Sequence, residues 1–99
     1  MGGRTTEMAT PTINQQVLDR INTYKEKLRE LEHTRAEIIT HKERNVHTLF
    51  ADASASPADR TFAVIMIADY ERLLIKIDHL KEEYLEMLTL LEERLSLGA

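Results

Sequence analysis

The stretch SPADRTFAVIMIADYERLLIKIDHLKEEYLEMLTLLEERLSL, residues 56–97, decides the fold. Ser56 followed by Pro57 has the order of an N-cap and a first helical residue: a serine hydroxyl accepts an orphan backbone N–H, and proline has no N–H to lose at that position. Asp59, three residues after Ser56, places negative charge at the positive end of the helix dipole. From Ala58 to Leu97 there is neither glycine nor proline, and Gly98 follows. One long helix over about 57–97 is therefore predicted. Its opening, Phe62-Ala63-Val64-Ile65-Met66-Ile67-Ala68, is apolar on every side, whereas a helix lying against a single neighbour needs only one apolar stripe. This helix is expected to meet more than one other.

Met66, Tyr70, Leu73, Ile77, Leu80, Tyr84, Met87 and Leu91 recur in steps of three and four, the spacing of a coiled-coil seam, and are expected to face the first helix. A second line, Ile67, Leu74, Leu85, Leu88 and Leu95, runs beside it, and Ile65, Ile75 and Leu90 widen the apolar surface. Each such side chain left in water forgoes roughly 1.5–3 kcal/mol of burial free energy. Ile65, Ile67, Leu74, Ile75, Leu85, Leu88 and Leu95 are accordingly the candidate oligomer or partner interface. Glu at Ile67 and Leu74 is expected to abolish partner binding while sparing the seam of the first helix.

Toward the N-terminus, the small polar run Ala51-Asp52-Ala53-Ser54-Ala55-Ser56 reads as a turn over about 52–56. The first helix is expected over about 13–51. Thr12 and Gln15 have capping-box spacing, and Pro11 blocks extension backwards. Its apolar seam runs through Val17, Ile21, Tyr24, Leu28, Leu31 and Ile38. Arg35 and Lys42 then fall where apolar residues are due, while Ile39, Val46 and Phe50 carry the stripe one position onward, a pattern read as a stutter that loosens packing near the turn. A turn centred near residue 54 sets Tyr24 opposite Tyr84, Leu31 opposite Ile77, Leu28 opposite Leu80 and Ile38 opposite Tyr70. Residues 1–11 are small, polar and aperiodic and are expected to be a disordered leader. Residues 12–98 then form a single domain. The fold class expected is all-α: an antiparallel helical hairpin, coiled-coil-like, dimerising into a four-helix bundle.

Composition narrows the function. Thirteen basic and seventeen acidic residues leave a net charge of −4 in 99 residues, so no overall positive field draws nucleic acid or anionic lipid. There is no cysteine, which removes thiolate nucleophiles and cysteine-based zinc sites. No apolar run reaches the eighteen or so residues of a membrane span, and a cytoplasmic location is the default expectation. All three glycines are terminal, so no phosphate-cradling loop exists. No Ser/His/Asp grouping is present either. No catalytic residue, cofactor site or metal site is assigned, and an enzyme is not expected.

Three polar groupings remain. Glu30, His33, Glu37 and His41 share a helix face, and Glu30-x-x-His33 has the spacing of di-iron carboxylate bundles. That face points away from the seam, and His33 and His41 lie about 12 Å apart along the axis, so a solvated surface is the expected reading and a metal-binding helical bundle the second alternative for function. Arg35, Lys42, Arg44 and His47 make a locally basic patch, diluted by Glu37 and Glu43, which supports a nucleic-acid-associated regulator as an alternative. Asp69 is the only charge between Arg60 and Glu71. It is expected to form a buried polar pair with Arg35 or Lys42 that fixes register or oligomer state. The leading expectation is a non-enzymatic protein–protein interaction module, homodimeric, acting as scaffold, adaptor or inhibitor.

Overall fold

The computed structural model describes residues 12–98; the leader expected over residues 1–11 lies outside them. Two helices account for nearly all of it: α1, Ile13–Phe50, of 38 residues, and α2, Pro57–Gly98, of 42 residues. They pack as an antiparallel hairpin in a rod of 72 × 29 × 15 Å. The radius of gyration is 22.0 Å, against about 13 Å for a compact domain of this length. A single layer of two helices has one buried face to offer, and the interior is correspondingly thin. Val17, Ile21, Ile38, Ala63, Ile77 and Leu88 are the buried apolar residues.

The helix boundaries follow from caps. The Thr12 hydroxyl accepts the Gln15 N–H at 3.1 Å and starts α1. At the far end the His47 carbonyl accepts N–H groups from both Ala51 and Asp52, at 2.8 and 3.0 Å. The connection needs no glycine, since no described residue has positive φ. The Asp52 carboxylate organises it by accepting the Ser54 hydroxyl at 2.6 Å and the Ser54 N–H at 2.9 Å. Those two bonds, with lesser help from His47 and Arg60, hold the Asp52 carboxyl below its ordinary value of 3.8.

Ser56 and Asp59 then cap α2 reciprocally. The Asp59 N–H donates to the Ser56 hydroxyl at 3.1 Å, and the Ser56 N–H donates to the Asp59 carboxylate at 3.0 Å. Two orphan donors are satisfied at once, with Asp in the place usual for Glu. Replacing Ser56 with Ala is expected to cost about 0.5–2 kcal/mol, read as a lower midpoint in urea unfolding followed by circular dichroism; an unchanged midpoint would show that the cap contributes nothing.

The inward positions of α1 are Val17, Ile21, Tyr24, Leu28, Leu31, Arg35, Ile38, Lys42, Asn45 and Leu49, each buried or half-buried. They keep steps of three and four from end to end. The expected stutter is absent. Arg35 and Lys42 stay in the seam because their aliphatic stems cover apolar surface while their heads reach carboxylates of α2. Of the three residues expected to carry the stripe onward, Ile39 is half-buried beside the seam, while Val46 and Phe50 are exposed. Asn45 donates back to the His41 carbonyl at 2.8 Å, which satisfies a polar group at a seam position.

In α2 the inward set is Ala63, Ile67, Tyr70, Leu74, Ile77, Lys81, Tyr84, Leu88, Leu91 and Leu95. Half of the expected seam is corrected by this. Tyr70, Ile77, Tyr84 and Leu91 face α1, and the Tyr24 and Tyr84 rings lie 5.4 Å apart as the register required. Leu73, Leu80 and Met87, however, are exposed, and Leu74, Lys81 and Leu88 take their places. Leu80 therefore does not sit opposite Leu28.

Candidate functional site

Two columns of α2 flank the line Tyr70, Ile77, Tyr84, Leu91, and either could complete a seam. One is Met66, Leu73, Leu80, Met87, apolar throughout; the other is Ile67, Leu74, Lys81, Leu88, Leu95, which carries a lysine. Ion pairs explain why the second turns inward. Glu32 pairs with Lys81, Arg35 with Asp78 at 3.0 Å, and Lys42 with Glu71 at 3.5 Å. Along α1 these partners advance by three and then seven residues, and along α2 they retreat by the same steps, so all three bonds lie on one flank of the hairpin. Each half-exposed pair contributes only on the order of 0.2–1 kcal/mol. Three in the same sense are enough to choose between two faces of similar apolarity.

The choice relocates the candidate interface. Leu88 is 6% exposed and belongs to the hairpin core with Val17 and Ile21; Leu95 packs against that cluster. Ile67 and Leu74 are half-buried in the seam. Ile67, Leu74, Leu88 and Leu95 are thus already occupied by α1 and are withdrawn from the partner face. Ile65, Ile75 and Leu85 remain exposed.

What is left open is an unbroken second seam. Phe62, Met66, Asp69, Leu73, Lys76, Leu80, Glu83, Met87, Leu90, Arg94 and Leu97 follow one another in steps of four and three over the length of α2. Seven of them are large and apolar, and of those only Met66 is half-buried. Leu73, Leu80 and Met87 are 42%, 41% and 42% exposed. This seam lies about 100° round the helix from the first, close to the angle between neighbour contacts in a helical bundle. Periodicity carries the signal for it, but ranking columns by apolarity alone assigned it to the wrong neighbour.

On the same side of the hairpin α1 presents the column Arg20, Lys27, Thr34, His41 and Thr48, which is polar throughout. His41 stacks against Tyr70 with ring centroids 6.1 Å apart, so part of this wall is aromatic, yet no aliphatic side chain extends the seam onto α1. The opposite flank, with its three ion pairs, holds a shallow hollow lined by Arg35, Ile39, Lys42, Glu43, Val46 and Leu74.

The expected polar pair is also corrected. Asp69 binds Arg72 at 3.1 Å, one turn along its own helix. Arg35 and Lys42 reach α2, but at Asp78 and Glu71, and all of these side chains stay partly exposed. Asp69 lies on the second seam, on the flank away from Arg35 and Lys42, which is why neither reaches it. Within the basic patch, Arg35 and Lys42 are therefore paired with carboxylates, and Arg44 and His47 are exposed. In the group of Glu30, His33, Glu37 and His41, His33 sits 2.7 Å from Glu37 on the exposed face. Among the described residues no three potential metal ligands converge, and no helix is long and apolar enough to cross a membrane.

Fold and surface together define a two-helix hairpin whose longer helix carries one filled seam and one open seam. The chain matches no known protein family, no curated protein and no solved structure.

Proposed function

We propose that this chain is a non-enzymatic protein–protein interaction module, a self-associating helical hairpin that serves as scaffold, adaptor or inhibitor for larger assemblies. The observation that carries the reading is the second seam of α2, where Phe62, Leu73, Leu80, Met87, Leu90 and Leu97 are exposed at heptad spacing. Coiled-coil spacing kept over more than thirty residues matches the ridge pattern of another helix rather than the shape of a small ligand. Large apolar side chains recurring along one exposed face of a helix, with charges between them, also have the mixed composition of a helix–helix interface. Pairing of two hairpins through this stripe gives the four-helix assembly that the apolar surplus of α2 calls for.

Nucleic-acid binding has less support, because two of its four candidate cations are neutralised by Asp78 and Glu71. The test is solution mass. Light scattering across a hundredfold range of concentration is expected to give twice the chain mass, falling toward the monomer only on dilution. A monomer throughout would remove the reading.

A further inference from the structure

We infer that the second seam of α2 takes the same seam of a second copy in antiparallel orientation, with Leu80 near the two-fold axis and α1 of each copy outside the contact. This rests on the reading of the chain as a self-associating hairpin and adds the geometry and the residues that select it. The seam's three interior charges, Asp69, Lys76 and Glu83, alternate in sign every seven residues, and Arg94 follows toward the C-terminus. In a parallel pair in register each charge meets its own copy: Asp on Asp, Lys on Lys, Glu on Glu. Like charges held opposite one another in a helix interface are destabilising.

Turning one copy end for end about Leu80 changes every encounter. Lys76 then lies beside Glu83 of the partner subunit, Asp69 within a turn of Arg94 of the partner subunit, and Leu73 beside Met87 of the partner subunit. The symmetry repeats each contact, as an isologous interface requires. Lys76 and Glu83 are both exposed and have no ion-pair partner among the described residues, so both are free for such a bond. Asp69 has only its exposed neighbour Arg72 to give up.

The wall of α1 on the same side argues for contact between the two α2 helices rather than between α2 and α1 of the other copy. Arg20, Lys27, Thr34 and His41 would have to be buried against Leu73, Leu80 and Met87, and desolvating those groups without partners is unfavourable. Helix 2 against helix 2 leaves them in water.

Cysteine cross-linking tests the orientation cleanly, because the chain has no cysteine of its own. Leu73→Cys and Met87→Cys proteins, each oxidised alone, are expected to form little disulfide dimer, while an equimolar mixture forms the 73–87 heterodimer efficiently. Efficient self-linking of Leu73→Cys, with no gain on mixing, would overturn the antiparallel arrangement. Charge exchange provides a second readout. Lys76→Glu and Glu83→Lys singly are expected to weaken the dimer roughly tenfold at low salt, and the double variant to restore it; a double variant weaker than either single overturns the proposal. A wild-type mass of two chains with the parallel cross-linking pattern removes only this geometry, whereas a monomeric wild type removes the self-association on which it rests.

Discussion

Truncating Leu88 to Ala will cost the hairpin about 2–5 kcal/mol, whereas the same truncation at Met87, one residue earlier, will cost under about 1 kcal/mol. Leu88 is 6% exposed and packs with Val17 and Ile21 at the centre of the core, while Met87 is 42% exposed on the open seam. Removing Leu88 leaves a void that two rigid helices cannot collapse to fill, so the lost burial and the cavity act together. Removing Met87 withdraws a side chain already in contact with water. Urea unfolding at the lowest workable protein concentration separates the two, since association would otherwise add a concentration-dependent share to stability. Equal losses at the two positions, or a larger one at Met87, would mean that α2 is rotated from the position described.

The second large effect concerns association. Leu73→Glu with Leu80→Glu is expected to weaken the dimer at least a hundredfold, about 3 kcal/mol, while helix content stays unchanged. Four glutamates then stand in an interface designed for leucine, each forgoing roughly 1.5–3 kcal/mol of burial and repelling its counterpart. Ile65→Glu with Ile75→Glu makes an informative control, because these residues are more exposed still, at 54% and 60%, and belong to neither seam. If the control pair dissociates the dimer and the seam pair does not, the contact face has been misplaced. Glu at Ile67 and Leu74, by contrast, is now expected to disrupt the hairpin itself, since both residues face α1.

Much of the fold was legible in local chemistry. Thr12 with Gln15 and Ser56 with Asp59 mark helix starts through hydrogen bonds that depend on neighbours three residues away, and the structure has both. Val17 to Leu31 formed a seam with no competing pattern, so its inward face could be read directly, and the Tyr24–Tyr84 contact followed from the position of the turn. The rotation of α2 was different. Of its two columns beside Tyr70 and Ile77, one is apolar throughout and the other apolar but for Lys81, and what separates them is the reach of Arg35, Lys42 and Glu32 across to the other helix. Such long-range pairing leaves no periodic trace. The same blindness sent Asp69 toward Arg35, when the partner lay three residues further along, and turned two well-placed basic stems into an imagined stutter.

Part of the core of this hairpin is gathered toward its open end, far from the bend. Val17, Ile21 and Leu88 meet there with Tyr24, Leu28, Leu91 and Leu95 around them, while nearer the bend the buried Ile38, Ala63 and Ile77 share the inward face with Arg35, Lys42 and Asn45. The contacts of this cluster thus join parts of the chain about 70 residues apart, and zipping outward from the connection reaches them last. Closing so long a loop adds only about 0.6 kcal/mol for each doubling of its length. Any fraying of the two arms from the open end would have to break the Val17, Ile21 and Leu88 cluster before reaching Ile77 and Ile38.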